Sequence, residues 1–209
     1  SYPHMQTGMN ETDHKSHSLH LHLPGTLDLR EFVALMSALM AMTALSIDTM
    51  LPALPDIGRE LHVLHANDRQ LIITTFFLGL AGGALFYGPL ADHHGRRPVL
   101  LGALVLMLVS TLLCTFASSF QLLLIGRFLA GFYAAAGRVL VLSIVRDCYK
   151  GDMMARIMSL IMFTFMIVPM MAPALGAGIL ALAQWRWIFG LLAILVGALA
   201  LWVGLRLPE

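Results

Sequence analysis

The feature that most constrains this chain is a series of six apolar runs, each long enough to cross a lipid bilayer. About 20 apolar residues in a helix span the hydrocarbon core, where every backbone polar group needs a partner within the protein. Helices meet that requirement internally, so the runs predict six transmembrane helices. Their expected bounds are residues 31–57, 68–88, 98–117, 121–145, 154–182 and 185–205.

The composition is typical of a protein that has lipid as its solvent. Of the 209 residues, 58% are hydrophobic and 12% are charged, and the mean hydropathy is +0.80. A soluble domain carries about 25% charged residues. We therefore expect an all-α integral membrane protein whose first partner is the lipid bilayer. The net charge of +1 indicates no nucleic-acid partner, and without a P-loop sequence the chain holds no ATP-driven pump domain.

The distribution of Lys and Arg orients the six helices, because the cytoplasmic loops of membrane proteins are rich in both. With the N-terminus inside, more Lys and Arg residues fall on the cytoplasmic side than outside. We therefore expect a multi-pass protein of the inner (cytoplasmic) membrane, with both ends of this chain in the cytoplasm. Arg127 and Arg138 then remain within the membrane. The outside holds Arg59, Arg69 and Arg186, and the cytoplasm holds Lys15, Arg30, Arg96, Arg97, Arg146, Lys150, Arg156 and Arg206.

The first 28 residues are polar and rich in histidine, with His14, His17, His20 and His22 in close succession. They contain too few apolar residues to fold alone. We interpret residues 1–28 as a disordered cytoplasmic tail or leftover cloning sequence, and residues 29–209 as the transmembrane domain. Neutral imidazole binds metals well, which leaves a weak metal-binding role for the tail open. We predict no metal site elsewhere.

A short polar segment, Gly88 to Pro98 (GPLADHHGRRP), joins the second and third apolar runs and is predicted to be a loop. Gly88 would let one helix end pack closely against a neighbour, and Gly95 would supply the positive φ of a tight reversal. Pro98 suits the first turn of the next helix. Asp92 lies within reach of two arginines, Arg96 and Arg97.

This segment resembles the loop signature of the major facilitator superfamily, G-x-L-A-D-x-x-G-R-R/K, and every fixed position of that signature is present. The resemblance implies that Gly88, Asp92, Gly95, Arg96 and Arg97 form a gating loop on the cytoplasmic side.

Other stretches also resemble this superfamily. The run RFLAG followed by AAAG in the fourth helix is similar to its R-x-x-Q-G-x-G-A-A helix. The run PMMAPALGAG in the fifth helix is similar to the antiporter signature G-x-x-x-G-P-x-x-G-G, which implies an antiporter-motif helix containing Pro169, Pro173 and Gly176. The runs SIDTMLPALP, VRD, WRWIF and the terminal LPE are similar to the bicyclomycin-resistance (Bcr/CflA) drug-efflux group.

Ionisable residues in a membrane helix cost about 3 kcal/mol on insertion scales, so each one suggests a function. Asp48 lies about 13 Å from the outer end of the first helix, and Arg127 about 9 Å from the outer end of the fourth. These depths allow the two residues to interact directly or through water. Two interpretations stay open: a fixed pair that holds the helices together, or a proton-coupling pair in which Asp48 carries the proton and Arg127 tunes it.

Arg138 follows Arg127 by three helical turns and shares its face. It lines the aqueous cavity or pairs with another residue near the cytoplasmic mouth, or else it selects anionic or zwitterionic substrates. The candidate substrate cavity contains Arg138 together with Met40, Phe76, Tyr133 and Phe163.

The superfamily resemblance implies a transporter rather than an enzyme, with no cofactor and the proton gradient as energy source. Because the family has twelve helices in two halves, we interpret this chain as the N-terminal six-helix half. It would export small-molecule drugs by alternating access, with substrate between this half and a missing C-terminal half. Two alternatives stay open: a proton-coupled nutrient or metabolite carrier of the same fold, and a non-transporting membrane subunit used for assembly.

Overall fold

A computed structural model describes residues 27–208 of the chain, and the predicted tail, apart from its last two residues, therefore lies outside the described part. Across the described residues the chain forms long helices joined by short turns. The helices are α1 (Leu29–Asp48), α2 (Leu54–Glu60), α3 (Leu71–His94), α4 (Arg96–Thr115), α5 (Phe120–Cys148), α6 (Gly151–Leu182) and α7 (Arg186–Arg206). Six stretches of the described chain are long and apolar enough to cross a membrane, with α1 and α2 sharing the first. The prediction of an all-α membrane protein with six spans is confirmed.

The helices form two layers. Helices α3, α5, α1 and α6 stand side by side in that order, while α4 packs behind α5 and α7 packs behind α1. We call the side of the row that faces away from α4 and α7 the front face. We call the end of the bundle that contains Gly95 the inner end and the opposite end the outer end, after the orientation that the positive-inside rule predicts.

The first span is interrupted near its outer end, where it contains two prolines. Helix α1 ends at Asp48, a single 3₁₀ turn covers Leu51–Ala53, and α2 then begins at Leu54. Pro52 is one of the first two residues of the 3₁₀ turn, and Pro55 is one of the first two residues of α2. At these positions the missing N–H of proline costs nothing. The prolines therefore end one helix and start another, and they leave Asp48 at a helix terminus.

Close packing between α3 and α5 depends on residues without side chains. A Cβ atom on Gly79 or Gly83 would collide with the carbonyl oxygen of Phe128 or Phe132, and one on Gly131 would collide with the carbonyl oxygen of Phe76. Small residues let membrane helices approach to backbone contact. Gly79 and Gly83 provide this close approach on α3, and Gly131 supplies the matching position on α5.

The outer end of the bundle is held by a polar cluster around Glu60. The Glu60 carboxylate accepts hydrogen bonds from the Trp185 indole at 2.6 Å and from the Arg186 guanidinium at 2.8 Å. Arg186 also donates to the carbonyl oxygens of Thr115 and Ala117, at the end of α4. The cluster therefore ties the short helix α2 to both helices of the rear layer.

Candidate functional site

Arg127 is the most deeply buried charged side chain in the described part of the protein, with 2% of its surface exposed. Its guanidinium donates a hydrogen bond of 2.9 Å to the carbonyl oxygen of Ser46 and one of 3.4 Å to that of Ile72. It also stacks over the Phe76 ring, 4.3 Å from the centroid. One arginine on α5 therefore joins α1, α3 and its own helix.

The Ser46 carbonyl is one of the last four of α1, which have no partner within a helix. A cation at this end interacts favourably with the helix dipole and with these carbonyl groups. Arg127 therefore acts as a side-chain cap for α1, two residues before Asp48. Among residues 27–208, no ion pair or hydrogen bond joins Arg127 to Asp48. Of the two predicted forms of their interaction, direct or through water, the direct one is absent, and Arg127 contacts the backbone instead.

Asp48 is partly accessible at the broken end of α1. Its carboxylate forms neither a hydrogen bond nor an ion pair with any other residue in the described range. Beyond the first turn of α1, the residues that are not buried are Val33, Ala34, Ala38, Leu45, Ile47 and Asp48. Four of them share one side of the helix and form a stripe that ends at this carboxylate: Ala34, Ala38, Leu45 and Asp48. This stripe places an unpaired acid on an open side of α1, within a membrane span.

Helix α6, which contains the predicted antiporter-motif residues, packs against this same end of α1. A Cβ atom on Gly176 would collide with the carbonyl oxygen of Thr49, the residue after Asp48. Gly176 is buried there, whereas Pro169 and Pro173 are half-buried within an uninterrupted α6. The end of α1 therefore carries Asp48 and is contacted by Arg127 of α5 and by Gly176 of α6.

Arg96 is the centre of an ion-pair network at the inner end. Its guanidinium lies 2.9 Å from an oxygen of Asp92 and 3.1 Å from an oxygen of Asp147. Asp92 is near the end of α3, Arg96 begins α4, and Asp147 is in the last turn of α5. The expected pairing of Asp92 is confirmed, and Asp147 is a partner that the sequence pattern did not identify.

The segment around this network differs from the predicted loop. Helix α3 continues through Pro89 to His94, and α4 begins at Arg96, so Gly95 alone separates them. Gly95 has the expected positive φ of 90°. The predicted close packing of Gly88 is wrong, because a Cβ atom there would meet open space. Membrane helices accommodate an internal proline, which is why Pro89 does not end α3.

Arg97 has a separate role in the same segment. It donates a hydrogen bond of 2.7 Å to the carbonyl oxygen of Gly204, near the end of α7. Arg97 therefore links the start of α4 to α7, while Arg96 links the start of α4 to the ends of α3 and α5. The two arginines of the motif act on different neighbours.

We expect Asp92→Asn to impair transport by the full-length protein while leaving membrane insertion largely intact. The substitution removes the negative partner of Arg96 on α3, which weakens the attachment of α3 to α4 and α5. Transport rate and the amount of protein in the membrane would be measured together. Asp152→Asn, at the exposed start of α6, is the matched control, and unchanged transport by Asp92→Asn would contradict a gating role.

The structure divides the predicted cavity residues into two groups. Met40 and Phe76 are buried in the bundle, with 2% and 0% of their surfaces exposed, so their assignment to an open cavity is corrected. Tyr133 is half-buried and contacts Phe132, whereas Phe163 is exposed on α6. Arg138 is exposed on α5, so among the five predicted cavity residues it is the one that places a charge on an open surface.

Comparison with known proteins agrees with this architecture. The sequence profile of the Major Facilitator Superfamily matches residues 35–209. The chain is 38% identical over 191 residues to an uncharacterized MFS-type transporter, YdgK, of Bacillus subtilis, covering 90% of the chain and 47% of that relative. It is 32% identical over 169 residues to a bicyclomycin resistance protein homolog of Haemophilus influenzae, covering 81% and 42%.

A third relative is the multidrug resistance protein MdtL of Salmonella typhimurium. It is 36% identical over 181 residues, which cover 84% of this chain and 45% of MdtL. The chain thus spans about half the length of the curated relatives it matches. The profile match, the six spans and the ion-paired loop motif together show that this chain belongs to the major facilitator superfamily.

Proposed function

We propose that this chain is the N-terminal half of a proton-coupled exporter of small-molecule drugs in the cytoplasmic membrane. One observation carries the proposal: an unpaired, partly accessible carboxylate, Asp48, lies at a helix terminus within a membrane span. Acids within membrane spans mark proton and ion pathways. The drug-resistance names of two relatives support drugs as the class of substrate.

We propose that protonation of Asp48 changes the contacts that Arg127 makes at the end of α1. A charged Asp48 attracts the guanidinium of Arg127 away from the Ser46 carbonyl, whereas a protonated Asp48 leaves that cap in place. Because the same guanidinium also binds the Ile72 carbonyl on α3, the proton on Asp48 affects how α1, α3 and α5 are held together. Coupling of this kind needs no bound cofactor, since the proton gradient supplies the energy.

A second six-helix half is proposed to complete the transporter. Helix α6 packs mainly against α1 and is otherwise open, and its exposed side carries large apolar residues such as Phe163, Met166 and Met170. In transporters built from two halves, substrate binds between them near the midplane, and the halves rock about that site. The front face of this chain would then form one wall of the substrate path, with the inner end of the bundle in the cytoplasm.

We expect the full-length protein to exchange protons for drug, and residues 1–209 to insert into the membrane without transporting. Inverted membrane vesicles would be acidified inside, and a pH-sensitive dye would report proton efflux when bicyclomycin or other antibiotics are added. Vesicles that contain residues 1–209 together with a separately expressed second half should regain the response. Drug resistance conferred by residues 1–209 alone would contradict the need for two halves. Proton-independent export by the full-length protein would contradict proton coupling.

A further inference from the structure

A small groove on the surface of the row lies between α3 and α5 and contains Arg138. Its volume is about 330 Å³, which lies at the lower end of the range for small-molecule sites. Apart from Arg138, its walls are apolar, and they consist of Phe77, Leu80, Ala81, Ala84, Ala135, Val139 and Leu142. The groove therefore combines one positive charge with a hydrophobic surface.

Arg138 lies on the front face near mid-depth. Its guanidinium is 5.5 Å from the centroid of the Phe165 ring on α6, while its groove is shared with α3. The residues that line the groove belong to α3 and α5, and none belongs to α4 or α7, so we place Arg138 on the front face. The preceding residue, Gly137, lies against Leu39, near the middle of α1.

The charge of Arg138 has no anionic partner in the described part of the protein. No hydrogen bond or ion pair to this residue is formed by residues 27–208. Arg127 has no anionic partner in the described range either, but it is buried and donates hydrogen bonds to two backbone carbonyls, which Arg138 does not. A cation within a membrane span normally pairs with another group or faces a polar pathway, and the exposed position of Arg138 leaves it accessible to an anion from outside these residues.

We propose that this groove binds small amphipathic organic anions, with Arg138 pairing with a carboxylate and the apolar walls holding an aromatic or aliphatic body. Arginine presents several donors in a planar fork that matches a carboxylate. Phe77 lines the groove, and the centroid of the Phe165 ring lies 5.5 Å from the guanidinium, so both provide aromatic surfaces for the body of the ligand. The proposal rests on the transport function proposed above, and it names the class of substrate.

Two probes of nearly the same shape separate charge recognition from hydrophobic binding. Labelled 1-naphthylacetate carries a carboxylate, whereas 1-naphthylacetamide replaces it with a neutral amide. Equilibrium dialysis against the purified full-length protein measures the Kd of each probe without any membrane gradient. We expect the wild-type protein to bind the carboxylate about tenfold more tightly than the amide, as one charge-assisted contact supplies.

The substitution Arg138→Gln should raise the Kd of the carboxylate about tenfold and leave that of the amide unchanged. Arg138→Lys should keep part of the preference, because it keeps the charge without the fork. Arg156→Gln is the matched control, since it removes one positive charge from the exposed inner end of α6. Thermal unfolding and elution profiles establish that each variant is folded.

Equal affinity of the wild-type protein for both probes would overturn the proposal. A preference for the carboxylate that persists in Arg138→Gln would also overturn it. An Arg138→Gln protein that binds neither probe and is less stable would overturn it too, because that result would indicate that Arg138 pairs with an acid of the second half. Because dialysis uses no proton gradient, the result is independent of proton coupling. A protein that prefers the carboxylate but exports no drug would refute the transport function alone.

Discussion

Replacing Asp48 with Asn in the full-length protein is expected to abolish proton-driven export while retaining drug binding. Asparagine has nearly the same shape but cannot bind and release a proton at physiological pH. Asp48 is also the one acid that lies on the accessible stripe of α1 between its first turn and its end, so no neighbour on that stripe can replace it. Asp48→Glu keeps the titrating group and should retain partial function.

The measurement is drug-dependent proton release from vesicles, made in parallel with drug binding by dialysis. Asp56→Asn provides the matched control, because Asp56 is an exposed acid of α2 that pairs with Arg59 on its own helix. We expect that control to transport normally. If Asp48→Asn still exports drug against a gradient and still exchanges protons, Asp48 has a packing role and the proton site lies in the second half.

Replacing Arg127 with Leu is expected to lower both stability and transport. Leucine removes the donors for the Ser46 and Ile72 carbonyls, which lie in a region that water does not reach. Hydrogen bonds to a charged group contribute about 1.5–3 kcal/mol each. Because one of the two is long at 3.4 Å, we expect a total loss of about 2–4 kcal/mol and a fall in Tm of about 5–10 °C.

Arg127→Lys distinguishes a general need for positive charge from a need for the fork. The ammonium group is compact and cannot reach two carbonyls on different helices in the same way, so we expect Lys to recover only part of the stability. Arg156→Leu, at an exposed site, should leave Tm nearly unchanged. An Arg127→Leu protein with wild-type Tm would show that the backbone carbonyls find other partners.

The local features of this chain followed from its sequence because they depend on short-range chemistry. Six apolar runs demand helices in lipid whatever their neighbours are, and Pro52 and Pro55 interrupt the first span wherever it packs. Gly95 adopts a positive φ because the chain reverses between α3 and α4. Asp92 pairs with Arg96, four residues further along the chain. Each of these results depends on a few consecutive residues.

The tertiary structure decided the partners of groups that lie far apart in the sequence. Arg127 was expected beside Asp48 because their depths match, but depth along two helices does not determine which way a side chain points. Rotation of α5 directs the guanidinium to the Ser46 carbonyl, an unpaired backbone group with no side-chain signature. Asp147 likewise reaches Arg96 only because the ends of α3, α4 and α5 meet.

Burial was also decided by packing rather than by residue type. Met40 and Phe76 look like pocket residues by chemistry, but the close approach of α3 to α5 and the position of α1 between α5 and α6 enclose them. Arg138 has the same charge as Arg127 and lies on the same face of α5, three turns further along. It nevertheless remains exposed on the front face. The sequence alone determined the number of spans, their breaks and the inner-end motif. The packing of the helices determined which charged residues are enclosed by carbonyl groups and which remain exposed on the front face, because that depends on helix rotation and distance.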